Sequence, residues 1–178
     1  LLLTNQVGAT LRAKGFAVGG ISVRDLPPDD LLYGRAESPV LASALALVAR
    51  AQGVIVTTPV YKAAYTGVLK TFLDLLPQSG LSGKVVLPMV TGGTIAHVLA
   101  IDYALRPVLL ALGAQHVVAG LFVLDRFLER TGDGGLRVGA EIADRLAAVV
   151  DDFADSLWRQ HPRDPRALPP APGVPTVA

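Results

Sequence analysis

Cysteine is absent, and the chain has one methionine, Met89, and one tryptophan, Trp158. The first absence excludes disulfides, thiolate zinc sites, iron–sulfur clusters and a cysteine nucleophile together. It also fits an expected cytoplasmic location. An excess of one charge is lacking too, because 16 Lys and Arg against 15 Asp and Glu leave a net charge of +1. No electrostatic footprint for nucleic acid or an anionic membrane results, and neither partner is expected. There is no His-x-x-x-His spacing and no Ser-His-Asp order, so neither a metal site nor a hydrolase triad is expected. The longest stretch without an ionised side chain, residues 107–124, is broken by Gly113-Ala114-Gln115-His116, which reads as a helix end, a turn and a new strand. No membrane span is expected there, since a span needs about 20 continuous apolar residues.

What the chain does have is apolar content: 51% of its 178 residues are hydrophobic and mean hydropathy is +0.47. A parallel sheet covered on both faces accounts for that, because its strands read as continuous Val/Ile/Leu runs. The length suits a single domain. Leu3, Val7 and Leu11 recur at helical spacing until Gly15, which predicts a helix over 1–14. Further helices are predicted over 38–50, where Ser38 is the N-cap and Pro39 the first helical residue, and over 66–76, 94–112 and 138–158. Strands are predicted over 16–23, 53–57, 84–90 and 117–124, with a loop over 25–33.

Strands alternating with helices imply right-handed crossovers and a doubly wound α/β sheet. Four strands are visible, and the first helix asks for one before it, which makes five, the flavodoxin-like number. The chain opens Leu1-Leu2-Leu3 without a methionine, so residues ahead of it, including that strand, are expected. Residues 1–160 are expected to form the domain. Residues 161–178 carry Pro162, Pro165, Pro169, Pro170, Pro172 and Pro175 and are expected to be a tail without regular structure, a mobile arm or a strap on a neighbouring subunit.

Ligands of such sheets bind outside the carboxyl ends of the strands, where two loops stand out. Thr58-Pro59-Val60-Tyr61-Lys62-Ala63-Ala64-Tyr65-Thr66-Gly67 combines a proline-stiffened turn with two flat tyrosine faces. It suits either a wall for a planar ring or an ordinary strand-to-helix turn with half-buried tyrosines. Thr91-Gly92-Gly93-Thr94-Ile95-Ala96-His97 lacks side chains at its glycines, so its backbone N–H groups can approach a ligand, and Thr94 can cap the next helix. His97 either faces a ring or is structural, and His116 reads as structural. Pro107 deprives the Tyr103 carbonyl of its helical donor, and Asp102-Tyr103 interrupts the apolar row of that helix. Either a π-bulge or a plain proline kink satisfies both facts. Asp29-Asp30 and Asp151-Asp152 read as solvated, Lys70 and Asp74 as a surface pair, and Gly132-Asp133-Gly134-Gly135 as a flexible turn without the lysine of a phosphate loop.

The runs Leu31-Leu32-Tyr33, residues 58–71, Gly83-Lys84-Val85-Val86-Leu87-Pro88, Thr91-Gly92-Gly93-Thr94 and residues 102–109 together resemble the NADPH-dependent FMN reductases. They are most similar to the branch that supplies reduced flavin to alkanesulfonate monooxygenases. The resemblance covers about residues 1–125. It implies a flavodoxin-like fold, an oxidoreductase using NADPH and FMN, and a homodimer or homotetramer. It implies FMN contacts from Thr58, Pro59, Val60, Tyr61, Lys62, Thr91, Gly92, Gly93, Thr94, Ile95 and His97, with no obligatory catalytic side chain and no metal. It further implies that Tyr103, with Pro107, marks a helix insertion at a subunit contact, and that a flavin-dependent monooxygenase receives the product. The family's phosphate-binding loop would precede Leu1. A quinone, azo or chromate reductase that retains FMN, and a noncatalytic flavin-binding electron carrier, are the alternatives.

Overall fold

The computed structural model describes residues 2–162, and residues 173–177 in backbone only. Five strand positions form one sheet. In chain order the strands are β1 (Ala17–Ile21), β2 (Gly53–Tyr61), β3 (Ala64–Tyr65), β4 (Val85–Gly92), β5 (His116–Val117), β6 (Leu121–Leu124), β7 (Leu128–Arg130), β8 (Leu136–Val138) and β9 (Gly173–Val177). The helices are α1 (Leu2–Ala13), α2 (Pro28–Leu32), α3 (Pro39–Arg50), α4 (Gly67–Leu73), α5 (Arg106–Ala111) and α6 (Ala140–Gln160). The sheet runs β1-β9-β2-β4-β5, with β6 continuing alongside β4 beyond β5, all parallel. This is the flavodoxin-like, doubly wound arrangement.

The sheet is buried on both faces, as the apolar runs require. Val54, Val56, Val86 and Val90 face α3, α4 and α5 through Leu41, Val48, Leu69, Phe72 and Leu109. Ile55, Val85, Leu87 and Met89 face α1 and α6 through Val7, Leu11, Leu146, Phe153 and Leu157. Alternate residues of one strand thus feed opposite layers. Gly53 lets α6 sit close, since a Cβ there would lie 2.7 Å from Leu157 and 2.8 Å from Phe153.

The proline inside β4 has a local explanation. Pro88 lies where β4 changes partner, paired with β5 at Val85 and Val86 and with β6 from Met89 onward. The Val118 amide donates to the Val86 carbonyl at 3.0 Å, so the backbone of residue 88, two further on, also faces that interrupted side. A missing N–H costs nothing there. The strand expected over 117–124 is therefore two short pieces.

The tail differs from expectation. Residues 163–172 lie outside the described residues, but 173–177 form β9 between β1 and β2, with Ile21 opposite Val177 and Ile55 opposite Thr176. The strand position expected ahead of α1 is thus filled from the other end of the sequence. Pro175 is opposite Gly19, whereas pairing with β2 begins only at Thr176, which is how a proline-bearing segment enters a ladder.

Smaller differences have physical causes too. Ser38 makes no side-chain cap, and its buried hydroxyl has no partner among the described residues; Pro39 at the first helical position starts α3 without it. The loop expected over 25–33 contains α2, opened by Pro28. Gly132-Asp133-Gly134-Gly135, expected as a turn, lies in the loop that closes a hairpin of β7 and β8. Among the described residues no helix is long and apolar enough to cross a membrane, and no cluster of His, Asp or Glu could hold a metal ion.

Candidate functional site

The stretch after Thr57 is a hairpin rather than a strand-to-helix turn. β2 runs on to Tyr61, reverses through Lys62 and Ala63, and returns as β3, with Val60 opposite Tyr65 and Tyr61 opposite Ala64. Lys62 and Ala63 have φ of 52° and 65°, so both central residues of this two-residue turn are left-handed, the form that matches strand twist but favours glycine or asparagine. The strain fixes an exposed tip bearing Tyr61 and Lys62.

Thr58 is buried and works inward. Its Oγ1 accepts the Thr66 amide at 3.1 Å and lies 3.1 Å from the Pro59 carbonyl, to which it donates. Thr66 Oγ1 accepts the Leu69 amide at 3.3 Å, capping α4. Thr66 was not among the expected site residues, although its place just before a helix is a capping signal.

The second loop leaves the carboxyl end of the neighbouring strand, with Pro59 of β2 opposite Thr91 of β4. Its two glycines differ in role. A Cβ on Gly92 would sit 3.0 Å from the Phe122 ring and 3.7 Å from Val60 Cβ, so Gly92 lets the two loops pack together. A Cβ on Gly93 would meet nothing nearer than an Asp125 carboxylate oxygen at 3.9 Å, and the Gly93 and Thr94 amides donate no backbone hydrogen bond among the described residues. Gly93 is therefore the open donor. Thr94 Oγ1 accepts the Ala96 amide at 3.3 Å and caps the single turn Ile95–His97. Ile95 is exposed and His97 half-buried.

Next comes the helix interruption. Residues Ile101–Leu105 are a π-helix, closed by the Arg106 amide on the Ile101 carbonyl five residues back. This decides between the two expectations: the extra residue Tyr103 is absorbed by a bulge ahead of Pro107. Arg106 braces it, its Nε 3.0 Å from Asp102 and its Nη1 3.3 Å from the Val117 carbonyl. Tyr103 is 80% exposed, and Ile95, Val98, Leu99 and Leu110 are exposed with it. The front of the expected apolar row thus lies outside the core.

Arg24, absent from the expected site, approaches from the carboxyl end of β1. Its Nη2 lies 3.4 Å from the Tyr61 hydroxyl, a contact across 37 residues that carries no local sequence signal. A cavity of about 720 Å³ runs beside β1 and α3 and is lined by Ser22, Asp25, Val40, Ser43 and Arg50 among others, but by neither loop. The chemistry points to the loops instead: exposed aromatic and apolar faces, free amides and cations meet at the ends of β2 and β4, the place where this fold binds ligands. The residues present suit a flat, anionic cofactor such as FMN. Thr57 Oγ1, buried within β2, has no partner among the described residues.

Residues 1–129 match the family model of the NADPH-dependent FMN reductases. The chain belongs to that family. It is 46% identical over 167 residues to an FMN reductase (NADPH) of Pseudomonas putida, spanning 92% of this chain and 81% of the relative. With an FMN reductase (NADPH) of Escherichia coli the identity is 57% over 104 residues, 58% of this chain and 54% of the relative. Among solved structures, the apo form of the NADH:FMN oxidoreductase EMOB superposes with a TM-score of 0.71 at 35% identity, covering 83% of this chain and 97% of that one. This FMN reductase is thus an NAD(P)H-dependent oxidoreductase by family.

Proposed function

We propose that this chain transfers a hydride from NADPH to FMN and releases the reduced flavin to a flavin-dependent monooxygenase, with alkanesulfonate desulfonation as the downstream reaction. The observation that carries the reading is the convergence of the two loops, where Pro59 lies opposite Thr91 and Val60 beside Gly92. Pro59, Val60 and Tyr61 line one edge of a ring site. Thr91, Gly92, Gly93, Thr94 and Ile95 line the other, with Gly93 and Thr94 offering amides to the polar edge of the ring and His97 behind them. Thr58 holds the hairpin in register from below, and Lys62 places a positive charge at its tip.

Bound FMN supplies the electron-accepting N5 atom, and the organic chemistry is the cofactor's own. The protein's residues bind and orient. The rings must stack with reacting atoms roughly 3–3.5 Å apart, which the rigid hairpin and the glycine turn make possible without a side-chain acid or base. Tyr61 and Ile95 are 58% and 63% exposed, so the site is open enough for flavin to enter and leave as a substrate does. The exposed apolar face around Tyr103 is the surface on which the chain forms a homodimer or homotetramer, since isolated apolar patches of this kind mark association sites.

The test is NADPH consumption by flavin-free protein under air while FMN is titrated in. Saturable, FMN-dependent turnover with release of FMN supports the reading. Binding of FMN without turnover, or turnover only with a tightly retained FMN and an added quinone or azo acceptor, would overturn it.

A further inference from the structure

Nine of the fourteen Lys and Arg side chains among the described residues are occupied, and Arg24, Arg50, Lys62, Arg130 and Arg145 form no ion pair there. Lys14, Arg35, Lys70, Arg106, Arg137 and Arg159 pair with carboxylates. Arg12 donates to the Val18 carbonyl, Lys84 to two carbonyls of the α3 end, and Arg126 lies over the Phe127 ring. Arg24 is different. It is exposed, forms no ion pair among the described residues, and its recorded side-chain partner is the phenol of Tyr61, in the ring site itself.

A neutral phenol orients a guanidinium without cancelling its charge, and one donated N–H leaves four others free. The Tyr61 side is fixed as well, because the left-handed pair Lys62 and Ala63 holds the hairpin tip. Lys62 adds a second cation to that tip, again without an ion pair among the described residues. An oriented guanidinium fork, with an ammonium on the same hairpin tip, suits the terminal oxygens of a phosphate monoester, a tetrahedral group that carries close to two negative charges and that Arg binds through two parallel N–H bonds.

We propose that Arg24, positioned by Tyr61, is the phosphate-monoester anchor of this site and the residue that sets selectivity for NADPH over NADH. The inference rests on the FMN reductase reading. Two reactants of that reaction carry a monoester: NADPH has its 2′-phosphate, which NADH lacks, and FMN has its 5′-phosphate, which riboflavin lacks. Arg24 reaches the Tyr61 hydroxyl from the β1 side of β2, whereas the open amides for the flavin ring lie on the other side of β2, just past the end of β4, at Gly93 and Thr94. That separation places the nicotinamide nucleotide's phosphate at Arg24.

The experiment measures kcat/KM for NADPH and NADH, and separately for FMN and riboflavin, in the wild type, Arg24→Gln, Arg24→Lys and Tyr61→Phe. A lost charged hydrogen-bond pair corresponds to about a ten- to hundredfold effect. Arg24→Gln is expected to cut the NADPH-to-NADH preference by that factor through KM, with kcat for NADH unchanged. Arg24→Lys should restore part of it, and Tyr61→Phe should give a smaller loss of the same preference. Collapse of the FMN-to-riboflavin preference instead would keep the monoester chemistry and overturn the assignment to NADPH. Unchanged ratios on both axes in an active Arg24→Gln enzyme would overturn the anchor altogether while leaving the reductase reading intact. A wild type that oxidises neither nucleotide with FMN would overturn both.

Discussion

The Thr58 hydroxyl accepts the Thr66 amide at 3.1 Å while Thr66 accepts the Leu69 amide at 3.3 Å, so one hydrogen-bonded chain joins β2 to the first turn of α4. The link runs beneath the hairpin that carries Tyr61. Replacing Thr58 with Val keeps the shape but leaves the buried Thr66 amide without its acceptor, a loss of about 1–3 kcal/mol. Thr58→Val should lower the urea midpoint by the corresponding amount and weaken FMN binding, whereas Thr58→Ser should retain both. Equal midpoints for Val and wild type would show the bond to be dispensable.

Strain at the hairpin tip has its own signature. Ala63 has a φ of 65°, and a left-handed residue with a Cβ costs roughly 1–2 kcal/mol. Glycine removes that cost but adds unfolded-chain entropy of about 0.5–1 kcal/mol, so Ala63→Gly should stabilise the protein slightly, by about 0.5–1 kcal/mol. The freed tip should hold Tyr61 less firmly, and FMN affinity should fall even as the melting temperature rises. A variant that gains stability and keeps full affinity would mean that tip rigidity plays no part in binding.

What could be read in the chain follows from how local the causes are. Both faces of the sheet were legible because Val54, Ile55 and Val56 are apolar in succession, and so was a helix interruption near Pro107, though not whether it was a bulge or a kink, because Pro107 and the misplaced Asp102-Tyr103 pair act within two turns. The hairpin was not, since Lys62-Ala63 carries no turn signal and is held left-handed by the surrounding pairing. Nor was β9, whose prolines argue against a strand until the partner change beside Pro175 is known. Of the site, the two loops were legible, but the inward role of Thr58, the different duties of Gly92 and Gly93, and the reach of Arg24 to Tyr61 depend on long-range packing.

Tyr103 offers a separable test of assembly. Its side chain is 80% exposed, so truncation removes little from the core, and Tyr103→Ala should change the stability of one protomer by no more than about 0.5 kcal/mol. If the chain associates through the apolar face around the bulge, the same change should weaken association by about 2 kcal/mol, the scale of a central aromatic anchor. Sedimentation velocity over a concentration series reads this directly. An unchanged distribution would place the contact elsewhere.

Lys84 gives a prediction remote from the site. It is 9% exposed, and its Nζ donates to the carbonyls of Ala49 at 2.9 Å and Ala51 at 2.7 Å, closing the end of α3. Lys84→Met fills similar space but leaves those carbonyls without their donor, so it should cost about 1–3 kcal/mol at neutral pH. Burial pushes the Lys84 pKa below its ordinary value of 10.5. Between the lowered folded value and 10.5 the unfolded chain binds more protons than the folded one, so stability rises with pH across that window. Below the folded value both states are protonated and the contribution is flat. The stability gap between wild type and Lys84→Met should therefore widen as pH climbs toward 10.5, measured by urea unfolding at matched ionic strength. A gap that narrows instead would mean that the folded protein favours the charged amine, against the direction burial imposes.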